Sequence, residues 1–107
     1  MINADREGWL PAVASDQLAD GSATECVIGD HIVAIFRSEG DLYALDAMCA
    51  HQGGPIAKGT VADKCVTCPW HGWQYELATG VQTIHRQKLL NCYPVRECGG
   101  QIYVRVN

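Results

Sequence analysis

No apolar run in this 107-residue sequence approaches the roughly 18 residues of a membrane span. Residues Met1 to Arg6 also lack the basic start and apolar core of an export signal, which predicts a cytoplasmic protein. Basic residues are scarce: eight Lys and Arg stand against twelve Asp and Glu, a formal net charge of -4. Phosphate binding calls for clustered Lys and Arg, so neither nucleic acid nor a membrane is an expected partner. Mild acidity is compatible with docking onto a basic protein surface, but many cytosolic proteins are mildly acidic, and that plainer reading carries most of the weight. Long helical periodicity is missing, as are repeats and low-complexity segments. These absences leave one soluble domain over 1–107, with the 48% apolar and 19% charged residues of a globular chain.

Strand patterns are what the sequence has instead, and they predict an all-β fold. "ECVI" (25–28) and "HIVAIFR" (31–37) flank Gly29-Asp30, a two-residue hairpin signal. "DLYALDA" (41–47) follows after Glu39-Gly40. "QIYVRV" (101–106) alternates, with Ile102, Val104 and Val106 on one face, and Gly99-Gly100 joins it to "NCYPVRE" (91–97). "PAVASDQLAD" (11–20) is expected to hold at most a short helical turn.

Residues 49–72 are of another kind. "CAHQGGP" opens this stretch and "CVTCPWHG" closes it, both with the Gly and Pro of tight turns. Between them "KGTVADKCVT" can form one or two short strands. Six cysteines are many for this length, and without an export signal metal or redox chemistry explains them better than a disulfide framework.

The ligand pattern is Cys49-x-His51, sixteen intervening residues, then Cys68-x-x-His71, with Cys65 adding a Cys-x-x-Cys. A c-type haem site needs His directly after Cys-x-x-Cys, where Pro69 stands. A thioredoxin-like dithiol needs a helix start in a βαβ setting, which is absent. Structural zinc accepts Cys49, His51, Cys68 and His71, or Cys49, His51, Cys65 and Cys68, and would make the protein a non-redox interaction module. Cys-x-His is a tight spacing for one ion and an easy one if its two residues bind different metals. A [2Fe–2S] cluster with two cysteines on one iron and two histidines on the other asks for that spacing.

"CAHQGGP" together with "CPWHGWQY" resembles the paired cluster boxes of Rieske proteins, and the resemblance runs over about residues 24–106, with "YPV" and the last hairpin included. It implies a small antiparallel β sandwich of the Rieske iron–sulfur type, with cluster-binding loops at one tip. It implies a Rieske-type [2Fe–2S] cluster held by Cys49, His51, Cys68 and His71, with the histidine edges as the electron's exit. In the branch found in cytochrome bc-type complexes each loop carries a further cysteine, and the two form a disulfide; Gly54 and Trp70 stand at the matching positions. Trp73 replaces a serine that donates to the cluster there, whereas Tyr75 keeps the phenol that bonds a ligand cysteine. Ring-hydroxylating dioxygenases add a mononuclear iron with two histidines and a carboxylate; only His31 and His85 remain unassigned, so dioxygen chemistry is not expected within these residues. The resemblance therefore implies an electron carrier, not itself an enzyme. It would be monomeric when free and work between a flavin-containing reductase and a terminal oxygenase or reductase. The small subunit of an assimilatory nitrite reductase is the similar alternative.

Other residues have plainer readings. Gln52, Gly53, Gly54 and Pro55 shape the first loop and Pro69 stiffens the second. Trp70 shields the cluster or contacts a partner, while Trp73 and Trp9 are core. Cys26, Cys65, Cys92 and Cys98 are packed thiols, and His31 is exposed. "IHRQKLL" (84–90) is where the family often has a proline-rich cover; here it holds no proline, and His85, Arg86 and Lys88 form a solvated loop or a small basic docking patch.

Overall fold

The computed structural model describes residues 8–50, 53–70 and 72–106. Among the described residues eleven strands are connected as three antiparallel sheets: β1 (Trp9–Ala14), β2 (Ala23–Ile28), β3 (His31–Ser38), β4 (Asp41–Asp46), β5 (Thr60–Ala62), β6 (Cys65–Thr67), β7 (Gln74–Glu76), β8 (Val81–Gln82), β9 (Gln87–Lys88), β10 (Val95–Cys98) and β11 (Gln101–Arg105). The sheet orders are β1-β11-β10, β2-β3-β4 and β5-β6-β7-β8-β9. The expected all-β antiparallel fold is what the chain adopts, and the two predicted hairpins close where Gly29-Asp30 and Gly99-Gly100 place them.

β3 explains the layering. Val33, Ala34, Ile35 and Phe36 are all fully buried, although neighbours in a strand point to opposite faces. Val33 and Ile35 pack with Leu18, Ile28, Ala44, Ile102 and Val104, which places the first sheet on one side. Ala34 and Phe36 pack with Leu45, Ile56, Val66, Tyr75 and Leu90, which places the third sheet on the other. The β2-β3-β4 sheet is thus a middle layer, and the unbroken apolar run "VAIF" is its signature. Burying Val33, Ile35 and Phe36 stabilises the fold by roughly 1.5–3 kcal/mol each. Cys49 and Cys68 belong to the second of these cores, so the layer that stabilises the fold also seats the candidate site.

Three expectations change. Residues 9–14 form a strand where only a helical turn was expected, and that turn is the 3₁₀ segment Ser15–Gln17. β1 lies at a sheet edge and its register with β11 shifts between Pro11 and Val13. An edge tolerates the missing Pro11 N–H, and the irregular register erases the alternation that would have announced the strand. Trp9 is core as expected, with the Arg96 guanidinium 4.4 Å from its ring centroid. β10 begins at Val95 rather than 91, because 91–94 turns aside to β4: Asp46 N–H donates to Asn91 C=O, and Tyr93 N–H to Ala44 C=O. Cys98 is exposed in the final hairpin, not a packed thiol, since Ile102 and Val104 on β11 supply the buried face there.

Candidate functional site

Two turns with the same wiring form the site. In the first, Cys49 N–H donates to Gly54 C=O at 2.7 Å and Gly53 N–H returns to Cys49 C=O at 2.7 Å. In the second, Cys68 N–H donates to Trp73 C=O at 2.7 Å and Gly72 N–H returns to Cys68 C=O at 3.1 Å. A β-bridge closes each turn: Met48 with Pro55, and Thr67 with Gln74. Gly53 and Gly72 occupy the same place in their turns with φ of 76° and 75°, a left-handed conformation that glycine adopts without steric cost. The two boxes of the sequence are therefore one structural device used twice.

The turns meet. Gly54 is buried, and a Cβ there would stand 2.9 Å from Cys68 Sγ and 3.0 Å from the Trp70 indole carbons Cγ and Cδ2. Gly54 and Trp70, the positions matched to a disulfide in another branch, are thus in contact, and glycine is what lets them approach. The Cys49 and Cys68 residues are 4% and 2% exposed, so both sulfurs are screened from water. His51, His71 and Gln52 lie outside the described residues. Among the described residues no three His, Cys, Asp or Glu side chains gather as a metal-holding group.

Tyr75 lies beneath the first turn, fully buried, with its Oη 3.1 Å from Cys49 Sγ and accepting the Ala50 N–H at 3.1 Å. Burial, then the bond to Cys49, raises its pKa above the ordinary phenol range, so the hydroxyl keeps its proton. Were Cys49 a metal-bound thiolate it could only accept, and Tyr75 would be the donor, so the phenol role implied by the resemblance is geometrically available.

Cys65 stands apart from this arrangement. It is half-buried on β6 beside Val66, which points into the core from the opposite face. Burial, with Glu76 and Asp63 nearby, pushes its thiol up. Cys26 and Cys92 are packed thiols as expected, and burial is the first cause that raises each pKa. Trp73 is partly buried against the core and Trp70 is 55% exposed. His85 is exposed, as a solvated loop requires; its ring packs edge-on to Trp73 at 5.6 Å, and its backbone N–H donates to the buried Gln82 Oε1 at 2.6 Å. Arg86 reaches Glu76 at 3.6 Å. His31 is exposed and packs edge-on to Tyr93. The close seat of Gly54 against Trp70 had no signal in the sequence beyond two departures from a pattern.

The chain matches the Rieske [2Fe-2S] domain family over residues 8–94. The anthranilate 1,2-dioxygenase ferredoxin subunit of Burkholderia cepacia is 30% identical over 107 residues, covering 99% of each chain. The chain also resembles cholesterol 7-desaturases, at 42% identity over 71 residues for that of Hemicentrotus pulcherrimus, and spans 15% of that protein's length. Among solved structures, the ferredoxin of carbazole 1,9a-dioxygenase from Nocardioides aromaticivorans IC177 superposes with a TM-score of 0.85 at 22% identity, over 92% of this chain and 98% of that one. A protein assigned as the small subunit of an NADH-dependent nitrite reductase from Mycobacterium tuberculosis does so with 0.85 at 27% identity, over 92% and 96%.

Proposed function

Because the chain belongs to the Rieske [2Fe-2S] domain family, we propose that it is a one-electron carrier that takes electrons from a flavin-containing reductase and hands them to a terminal oxygenase or a similar acceptor. Its cofactor is a Rieske-type [2Fe–2S] cluster, which when bound supplies a centre that gains and loses one electron at a time. In this reading Cys49 and Cys68 hold one iron while His51 and His71 hold the other. The observation that carries it is the pair of matched turns, each beginning at a cysteine and enclosing a histidine in sequence. One ligand per iron from each turn follows from that symmetry.

The described residues fit such a group. Two buried sulfurs are presented by turns in contact, and soft thiolate donors suit iron–sulfur centres. Tyr75 O–H donates to the Cys49 sulfur, drawing electron density from it, while Ala50 N–H holds the phenol oxygen in place. Gly54 allows the turns to close, and the Trp70 indole covers that contact on the outside. Among the described residues no helix is long and apolar enough to cross a membrane.

The full-length match to a dioxygenase ferredoxin subunit favours oxygenase supply. A nitrite reductase small subunit is the second reading, favoured by the structural neighbour at 27% identity. The test is reconstitution. Purified protein should be red-brown, hold two irons per chain, be reduced by NADH through a flavin-containing ferredoxin reductase, and be reoxidised by an oxygenase. A colourless, zinc-loaded protein would defeat the carrier reading and leave a zinc-stabilised interaction module.

A further inference from the structure

A cleft of about 380 Å³ opens beside the first turn, between the β2–β3 hairpin, the chain leaving β4, and the segment after β9. Leu90, 2% exposed, lies at its floor, and Ile32, Met48 and Leu89 line it. Ile32 and Met48 are 39% and 53% exposed, and Val27, the cross-strand partner of Ile32, is 73% exposed. Apolar surface grouped in this way marks a place that another surface covers. Ala50, which stands between Cys49 and His51 in the chain, closes one end.

Among the described residues two carboxylates line this apolar cleft, Asp30 and Asp46, and no Lys or Arg does. Lys88, next in sequence to Leu89, does not line it. Asp30 is exposed at the hairpin turn. Asp46 is held in place: Tyr93 O–H donates to one oxygen at 2.5 Å and Asn91 N–H to the other at 2.8 Å. A carboxylate fixed in this way loses little conformational freedom when a ligand arrives.

We propose that this cleft seats a basic side chain of the protein with which the chain exchanges electrons, an arginine or lysine whose aliphatic stem lies on Met48 and Leu89 and whose charged head meets Asp30 and Asp46. Long cationic side chains are the ones that pair an apolar stem with a charged tip, as the cleft does in complement. The formal charge of -4 steers a basic surface toward the chain, and the cleft sets where that surface lands. Seating there places the partner against Ala50, on the turn that begins at Cys49. The inference rests on the carrier reading and adds the docking register to it.

The probe is mitochondrial cytochrome c, a basic one-electron acceptor, mixed anaerobically with the reduced holoprotein at low ionic strength. Asp30→Lys should slow its reduction by about fivefold or more, whereas Asp16→Lys, an equal charge change at an exposed site elsewhere, should slow it less than about twofold. Met48→Glu should also slow it, although added negative charge by itself would accelerate the reaction. Carbodiimide cross-linking of the wild-type pair, mapped by mass spectrometry, should join a cytochrome c lysine to Asp30 or Asp46 and needs no variant to fold. Equal slowing by Asp30→Lys and Asp16→Lys, acceleration by Met48→Glu, or cross-links only at other carboxylates would overturn the proposal. Cross-links joining Asp30 or Asp46 to a second copy of this chain, in place of cytochrome c, would overturn it too. Each variant's visible spectrum and midpoint are recorded alongside. A wild type without cluster bands, or one unable to reduce cytochrome c, strikes the carrier reading itself.

Discussion

The phenol of Tyr75 lies 3.1 Å from the sulfur of Cys49, across 26 residues of sequence. A donor to a ligand sulfur favours the more electron-rich state of the centre, so removing it lowers the midpoint. Tyr75→Phe should retain the visible spectrum and shift the midpoint down by a few tens of millivolts. For one electron about 59 mV corresponds to about 1.4 kcal/mol, and one hydrogen bond differs between redox states by no more than about that. Protein-film voltammetry of both proteins checks this; an unchanged or higher midpoint would show that the hydroxyl does not donate to the sulfur.

Gly54→Ala should be tolerated poorly. Its Cβ would meet Cys68 Sγ at 2.9 Å and the Trp70 indole at 3.0 Å, so one turn must move away from the other. A loss of about 1–3 kcal/mol in stability is expected, as for other overpacked positions, together with faster cluster loss on dilution or mild heating. Denaturant unfolding and the decay of visible absorption measure the two effects.

The six cysteines should separate cleanly. Cys49→Ala and Cys68→Ala are expected to bring iron content close to zero, as are His51→Ala and His71→Ala. Cys65→Ala should keep full iron content, because Cys65 stands on β6 beside the inward-pointing Val66. Iron assay and absorption spectra decide it. A folded but colourless Cys65→Ala protein would make Cys65 a ligand.

The proposed ligation by His51 and His71 predicts a pH dependence. An imidazole bound to ferric iron gives up its second proton more readily, and reduction restores its proton affinity. The midpoint should therefore be flat near neutral pH and fall as pH rises into the alkaline range. His85→Ala and His31→Ala should keep that alkaline limb. A midpoint that stays flat throughout would remove the histidines from the ligand set.

Acid stability should report a different contact. Arg37 joins β3 to β10 by pairing with Glu97 at 2.9 Å while its Nε–H donates to Leu18 C=O. The guanidinium holds the Glu97 carboxyl down at about 2, from an ordinary value of 4.5. A depressed carboxyl pKa contributes stability above the unfolded value, and this is lost as pH falls from about 4.5 towards 2. The pair is partly exposed, so the effect is small. Denaturant midpoints measured across that window should fall less in Glu97→Gln than in wild type; parallel curves would show that the pair carries none of the acid sensitivity.

The sequence by itself determined whatever depends on near neighbours. Cys49-x-His51 and Cys68-x-x-His71 lie within a few residues of the glycines that close their turns, so the boxes were legible as turns. The hairpin at Gly29-Asp30 was legible for the same reason, and so was the alternation of Ile102 and Val104. Tertiary structure alone decided what depends on segments meeting across the chain. β1 exists because β11 offers it an edge, which its own pattern, with Pro11 and a shifted register, does not announce. Cys26 and Cys98 are alike in local sequence terms, yet one is half-buried and the other exposed, because burial depends on which face the neighbouring layer covers. Gly54 against Trp70, Tyr75 under Cys49, and Asp46 bound by Tyr93 join residues 16 to 47 positions apart. Spacing encodes which groups can act; only packing brings the distant ones within reach of each other.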